Sequence, residues 1–401
     1  MIYPGQLKNS KFRKLWFSDG LTSMSDQIEM LVMSWVIITK TESGLILGIY
    51  SATRFFSTIF APFIGGLIDN FNKKSALMTS RIYMFIHSMI FLLIAYNKQL
   101  GTFRIIFITF FYGIARTSDR ISRESLTQLL ISKANLRNAS GILRSTMDFA
   151  KIIGPIIGAS IYSYFGITET YMLIGFLYFL SVIIIAPIKI EGINQNKIKI
   201  VDEIKIGFIY LSENKLLISV ILAAALANLI LFTLPGAYLP FIIKDILNGN
   251  ASDLALFNSY TAIGALFGSI IMSTKNISNN PGKLIFVSLI FWHCTMLVTS
   301  IINNKIILGI ILFAYGTAGS ISMISMAVLI LSISKKQMIG RIIGVRQLAI
   351  FTLPIGLIIS GYLIDIIGII ISIQVVASIG IILTLILAYK SKNLMIYRNT
   401  N

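Results

Sequence analysis

Twelve runs of the chain are long and apolar enough to cross a lipid bilayer, at about residues 12–39, 43–68, 75–97, 102–128, 137–165, 167–187, 215–241, 252–274, 282–302, 305–333, 338–366 and 369–390. A membrane helix needs about 20 mostly apolar residues. Several runs are longer, which predicts tilt or extension beyond the bilayer. Composition agrees: 56% of the 401 residues are hydrophobic and 12% are charged, against about 25% charged in a soluble domain. An ordinary soluble, disordered or collagen-like chain is excluded, and the expected class is an all-α integral membrane protein. The first run follows Lys8, Lys11, Arg13 and Lys14, contains Asp19, Asp26 and Glu29, and lacks a small-residue cleavage site. It reads as a retained helix and not as a signal peptide.

The twelve spans divide at a polar segment, 188–214, that carries Lys197, Lys199, Asp202, Glu203 and Lys205. Its second part, Ile200–Leu211, has apolar residues at helical spacing and is expected to lie along the membrane surface. The predicted organisation is a six-helix bundle over 1–187, a cytoplasmic linker over 188–214 and a second six-helix bundle over 215–401. At an offset of 199 residues, Gly141, Ala150 and Pro155 match Gly340, Ala349 and Pro354, as two related halves require.

The net charge of +18 would suggest nucleic acid in a soluble protein. Here position gives it another meaning. With the N-terminus inside, 22 of the 34 Lys and Arg residues fall on cytoplasmic segments and 5 on outer ones. The positive-inside rule therefore predicts that both termini are cytoplasmic, with a lipid bilayer and no nucleic acid as partner. The other seven basic residues (Arg54, Arg81, Arg116, Arg120, Arg144, Lys151 and Arg346) lie within apolar spans.

Charge at the bilayer centre costs at least about 2.5–3.5 kcal/mol on insertion scales, so such residues face partners or water. Nearly all of them sit in the first half. The first span holds Asp19, Asp26 and Glu29, the second Arg54, the third Arg81, the fourth Arg116, Asp119 and Arg120, and the fifth Arg144, Asp148 and Lys151. Arg116, Asp119, Arg120 and Arg123 follow the i, i+3, i+4, i+7 spacing of one helix side, and Arg144, Asp148 and Lys151 follow i, i+4, i+7. Asp26, Glu29, Arg54, Arg116, Asp148 and Lys151 all fall near mid-span, which predicts one buried polar cluster. Two readings stand side by side: the charges pair to hold the bundle together, or they bind cargo and protons. On the second, Asp26, Glu29 and Asp148 are the proton-coupling candidates. Asp19, Arg54, Arg116, Asp119, Arg120, Arg144 and Lys151 are the substrate-binding candidates. Arginine recognises carboxylate and phosphate bidentately, which favours an anionic or polyfunctional metabolite such as a carboxylate siderophore over a lipophilic cation. On the structural reading, Arg120 and Arg123 lie at the cytoplasmic exit and anchor headgroups.

Three segments carry a family resemblance. Gly65-Gly66-Leu67-Ile68-Asp69-Asn70-Phe71-Asn72-Lys73-Lys74 resembles the loop signature of the major facilitator superfamily between its second and third helices, with Asn70 for the usual Arg and Asn72 for the usual Gly. Gly154-Pro155-Ile156-Ile157-Gly158 resembles that superfamily's antiporter motif, with Ala150 and Ala159 where Gly is frequent. Phe12-Arg13-Lys14-Leu15-Trp16, with Asp26 and Trp35 beyond it, and Gly340-Arg341-Ile342-Ile343-Gly344 are similar to the branch that contains macrolide and enterobactin exporters. The resemblance implies the major facilitator fold and a multi-pass protein of the bacterial cytoplasmic membrane. It implies two bundles that rock about a central cavity lined by spans 1, 4, 7 and 10. It further implies a monomer that exports a small molecule in exchange for protons, without a cofactor. Gly65, Asp69, Lys73 and Lys74 would form the conformational switch, and Gly154, Pro155 and Gly158 the antiporter-type motif.

Other signals carry little. His87 and His293 fall in the third and ninth spans, which the resemblance makes peripheral, so both read as satisfied or interfacial histidines. One cysteine, Cys294, excludes an internal disulfide, and no Cys/His group has zinc spacing. No Walker loop, nucleophile elbow or metalloprotease motif occurs, so neither an enzyme nor an ATP-driven pump is expected. Uptake or facilitated diffusion of an organic anion, and a non-transporting receptor or assembly subunit, remain as alternatives.

Overall fold

The structure, a computed structural model, describes residues 4–70, 72–132, 135–189, 200–274, 280–335, 338, 342, 345–346 and 349–397. Among these residues every regular element is helical. The first half contains α1 (Ser10–Thr41), α2 (Gly44–Phe56), α3 (Ala61–Asn70), α4 (Lys73–Tyr96), α5 (Thr102–Leu130), α6 (Leu136–Phe165) and α7 (Ile167–Ile185). The linker helix is α8 (Ile200–Glu213), at the place its apolar spacing predicted. The second half contains α9 (Lys215–Leu226), α10 (Ala251–Thr274), α11 (Pro281–Thr299), α12 (Lys305–Ile333), α13 (Thr352–Ile367), α14 (Ile369–Lys390) and the short α15 (Lys392–Ile396).

Among the described residues eight helical stretches are long and apolar enough to cross a membrane by length and composition alone: Lys73–Tyr96, Ile167–Ile185 and six in the second half. The others among the twelve have visible reasons for reading as weaker spans. α1, α5 and α6 carry the intramembrane charges. The second span is interrupted: α2 passes through a 3-10 turn, Ser57–Phe60, before α3 resumes. The eleventh span is seen from Ala349 onward, and Gly340, Arg341, Ile343 and Gly344 of its expected opening lie outside the described residues. The seventh span continues from α9 as π-helical turns at Ala227–Leu231, Leu234–Tyr238 and Ile242–Ile246, around Pro235 and Pro240. Proline removes a backbone donor and clashes with the preceding turn, and the wider turns accommodate it.

By contact the chain forms two compact units, Met1–Val36 with Phe56–Ile198 and Ile37–Phe55 with Lys199–Asn401. In the first, Leu15, Leu77, Leu126, Ile185 and Ile188 form one apolar cluster that ties α1, α4, α5 and the end of α7 together. α6 crosses α1 at glycine positions. A Cβ on Gly154 would stand 2.8 Å from Gln27 Cβ, and one on Gly158 2.9 Å from Ile28 Cγ2. The antiporter-type motif therefore lies directly against the turn of α1 that carries Asp26 and Glu29.

In the second unit, α2 packs on α13 with almost no side chain between them. A Cβ on Gly48 would lie 2.4 Å from the Leu357 carbonyl oxygen. Above this contact Asp365 caps the start of α2. Its carboxylate accepts from Ser43 Oγ at 2.7 Å, Gly44 N at 2.5 Å and Leu45 N at 3.0 Å. The first N–H groups of a helix have no partner within it, and an acidic cap satisfies them and the helix dipole together. Asp365→Ala is expected to destabilise the first turn of α2 by about 1 kcal/mol, the usual worth of an N-cap. Hydrogen exchange of the Gly44–Ala52 amides measures it, with faster exchange expected there than in α14.

Candidate functional site

Within the first unit the charged residues make several groups of contacts. One buried group joins α1, α4 and α5. Arg81 Nε meets Asp119 Oδ1 at 2.7 Å, and Arg81 Nη2 lies 3.7 Å from Asp19 Oδ1. Arg123 Nη1 reaches the same Asp19 oxygen at 2.6 Å. Arg81 Nη1 also donates to Ser18 Oγ, and Ser18 Oγ donates to the Ser181 carbonyl at 2.6 Å, which brings α7 into the group. Two arginines and two aspartates balance in charge, and all four are buried. This group fits the structural reading of Asp19 and Asp119. Arg123, which on the structural reading anchors a headgroup, is instead buried and pairs with Asp19.

The second group lies two helical turns further along α1. Asp26 Oδ1 meets Arg116 Nε at 3.0 Å and accepts from the Tyr112 hydroxyl at 2.7 Å. The Tyr112 and Tyr178 hydroxyls are 2.9 Å apart, and Gln27 Nε2 donates to Asp26 Oδ2 at 3.4 Å. Here the burial is incomplete. The Arg116 side chain is 34% exposed and that of Asp26 12%. One turn on, Glu29 Oε1 stands 3.7 Å from His87 Nε2 with both side chains buried.

The remaining candidates have contacts of their own. Arg144, Asp148 and Lys151 pair among themselves on α6, at 3.1 and 2.9 Å, with Arg144 68% exposed. Arg120 is half-buried on α5. Arg54 belongs to the second unit, where its Nη1 donates to the Tyr50 hydroxyl at 3.3 Å. Among the described residues no group of His, Cys, Asp and Glu could hold a metal ion.

The profile of the transmembrane secretion effector family matches residues 4–397. The chain belongs to this family. It is thus a transporter of the major facilitator superfamily and not an enzyme. Macrolide efflux protein A of Enterococcus faecalis is 20% identical over 221 residues, covering 53% of this chain and 67% of that protein. Multidrug resistance protein MdtG of Klebsiella pneumoniae (strain 342) is 24% identical over 317 residues, covering 76% and 72%. A bacterial homologue of the human lysosomal transporter Spinster, solved inward-facing and unoccupied, superposes with a TM-score of 0.75 at 10% identity, over 97% of this chain and 98% of that one. The nucleoside transporter NupG gives 0.76 at 12%, over 97% and 100%. The last two establish the fold.

Within the transporter, the loop signature is partly visible. Lys73 is buried at the start of α4, and Lys74 Nζ donates to the Ala186 carbonyl at 2.6 Å, tying this loop to the end of α7. A Cβ at Gly65 would meet nothing within 4 Å, and the side chain of Asp69 lies outside what is described. Sequence reasoning named neither Tyr112 nor Tyr178, and it set His87 aside. Tyr112 carried a usable signal, since it precedes Arg116 by four residues and so shares its face.

Proposed function

We propose that this transporter exports a small organic molecule in exchange for protons, with Asp26 as the exchange site. The supporting observation is that one carboxylate oxygen of Asp26 is held by both Arg116 and Tyr112 where the pair is still partly exposed. A proton on Asp26 dissolves its pairing with Arg116. A cationic or strongly donating group of a cargo does the same by taking the carboxylate. Proton and cargo then exclude one another, which is the condition for antiport. This reading alters the cargo suggested by the arginines alone. An anion on Arg116 would leave Asp26 to take up a proton, so anion and proton would travel together. An amine-bearing amphiphilic drug therefore suits Asp26 better than a carboxylate siderophore, and the relatives are named for macrolide efflux and multidrug resistance. The protein would work as a monomer in the cytoplasmic membrane with both termini cytoplasmic. Gly154, Pro155 and Gly158 would keep α6 on α1 while Gly65, Asp69, Lys73 and Lys74 switch the loop between states.

The partial exposure of Arg116 favours one second reading, proton-coupled uptake of an organic anion. Proteoliposomes loaded with a macrolide separate the two. Under the first reading an inward proton gradient drives the macrolide out. If only carboxylates move, and in the direction of the proton gradient, the second reading replaces the first. If no flux responds to the gradient, the exchange reading is rejected.

A further inference from the structure

We propose that Arg346 is an oxyanion-binding site of the second unit, fitted to a carboxylate or a phosphate. Arg346 lies in the first third of the eleventh span, 338–366. Charge inside a span is costly and faces a partner, water or a ligand. Between Lys215 and Lys390 the sequence holds three acids, Asp245, Asp253 and Asp365. All three fall on the other side of the spans from Arg346. Spans 7, 9 and 11 start on the side of the linker, whereas Asp245 and Asp365 close spans 7 and 11 and Asp253 opens span 8. At the helical rise Asp365 is about 28 Å beyond Arg346. Each of the three also has a partner: Lys244 for Asp245, Lys305 for Asp253 and the first turn of α2 for Asp365. On the side of Arg346 the acids of this unit are Asp202, Glu203 and Glu213 of the linker helix. Among the described residues no carboxylate pairs with Arg346.

A guanidinium suits this ligand. Its planar fork meets a carboxylate or phosphate with two parallel hydrogen bonds. The framework under it is fixed. Ile342, Val345 and Ala349 are buried. The turn Ala349–Phe351 leads into Thr352, whose hydroxyl donates to the Ala225 carbonyl of α9 at 2.7 Å. Arg346 itself is half-buried. A ligand can reach it, yet it has lost part of its water, which strengthens an ion pair made there. The sequence around it draws anions. Lys215, Lys283, Lys335, Lys336, Arg341 and Lys390 all fall at the same ends of the spans. Charge of one sign over such a side raises the local concentration of counter-ions. A free anion and the headgroup of an acidic lipid present the same oxygens. Asp26 belongs to the first unit and Arg346 to the second, so this site does not rest on the exchange reading, and either can fail alone.

Phenylglyoxal modifies arginines, and peptide mass spectrometry reads each one separately. The transporter is compared in nanodiscs of phosphatidylcholine alone, of phosphatidylcholine with phosphatidylglycerol, and of phosphatidylcholine with added inorganic phosphate. Arg104, exposed at the start of α5, is the reference. Arg346 is expected to react at least about threefold more slowly in one of the two anionic samples, with Arg104 unchanged. Slowing by phosphate assigns a free anion to the site, and slowing by phosphatidylglycerol alone assigns a lipid headgroup. No slowing in either sample, or equal slowing at Arg104, overturns the proposal. Should Arg346 be unreactive in phosphatidylcholine alone, binding to R346Q decides. This variant is expected to hold phosphatidylglycerol in native mass spectrometry, or ³²P-phosphate in equilibrium dialysis, at least about tenfold more weakly than the wild type, the worth of one charge-assisted hydrogen bond. R346K keeps the charge without the fork and is expected to fall between them. Equal binding of both probes by R346Q and the wild type overturns the site.

Discussion

Arg81→Ala is expected to destabilise the protein by about 3–5 kcal/mol, the usual cost of breaking a buried ion pair from one side. Arg81 is the hub of its buried group. One guanidinium contacts Asp119, Asp19 and the Ser18 hydroxyl, and so holds α4 to both α1 and α5. Its removal leaves two buried aspartates facing the single charge of Arg123. Scanning fluorimetry in detergent reads the loss. At about 2–4 °C per kcal/mol for a unit of 150–250 residues, a fall in Tm of at least about 6 °C is expected. Arg81→Lys keeps the charge but not the forked geometry and is expected to recover part of it. The double variant R81M/D119N balances the charge again and is expected to recover most of it. If the double variant is no better than Arg81→Ala alone, packing and not charge accounts for the effect.

How far the sequence was legible depends on what kind of information each feature needs. Span positions need only length and hydrophobicity, and the helix at Ile200–Glu213 only a period, so both were readable. Partner choice needs direction across the bundle. Arg116, Asp119 and Arg123 share one side of α5, yet each is rotated by roughly 40–60° from the one before it and lies about a turn further on. That is enough to send Arg116 to Asp26, Asp119 to Arg81 and Arg123 to Asp19. Depth was misleading for the same reason. Asp148 and Lys151 lie at mid-span like Asp26, but on a strip of α6 where they meet each other instead. His87 was set aside because its span was expected at the periphery. A peripheral helix still has one inward face, and His87 lies on it, fully buried against Tyr112.

Asp26→Asn is expected to abolish drug accumulation driven by a pH gradient while leaving gradient-free exchange of the same drug measurable. Asparagine resembles the protonated carboxyl in size and in its hydrogen-bonding edge, so the Tyr112 hydroxyl keeps an acceptor while Arg116 loses its counter-charge. The carrier would remain in the form that the proton normally produces and could not discharge it. Arg116→Ala approaches the same state from the other side. It removes the guanidinium that meets Asp26 while the Tyr112 and Gln27 contacts remain, and losing a nearby positive charge favours the protonated carboxyl. The two variants are therefore expected to share one phenotype, uncoupled exchange, although one removes an acid and the other a base. Arg116→Lys restores a charge without the Nε contact and should fall between them. Proteoliposome flux of a macrolide, with and without an imposed gradient, measures all three. Accumulation that survives in Asp26→Asn removes Asp26 from coupling. Accumulation that survives only in Arg116→Ala shows that Asp26 exchanges its proton without the arginine, and the competition between cargo and proton would then have to be read from the carboxylate alone.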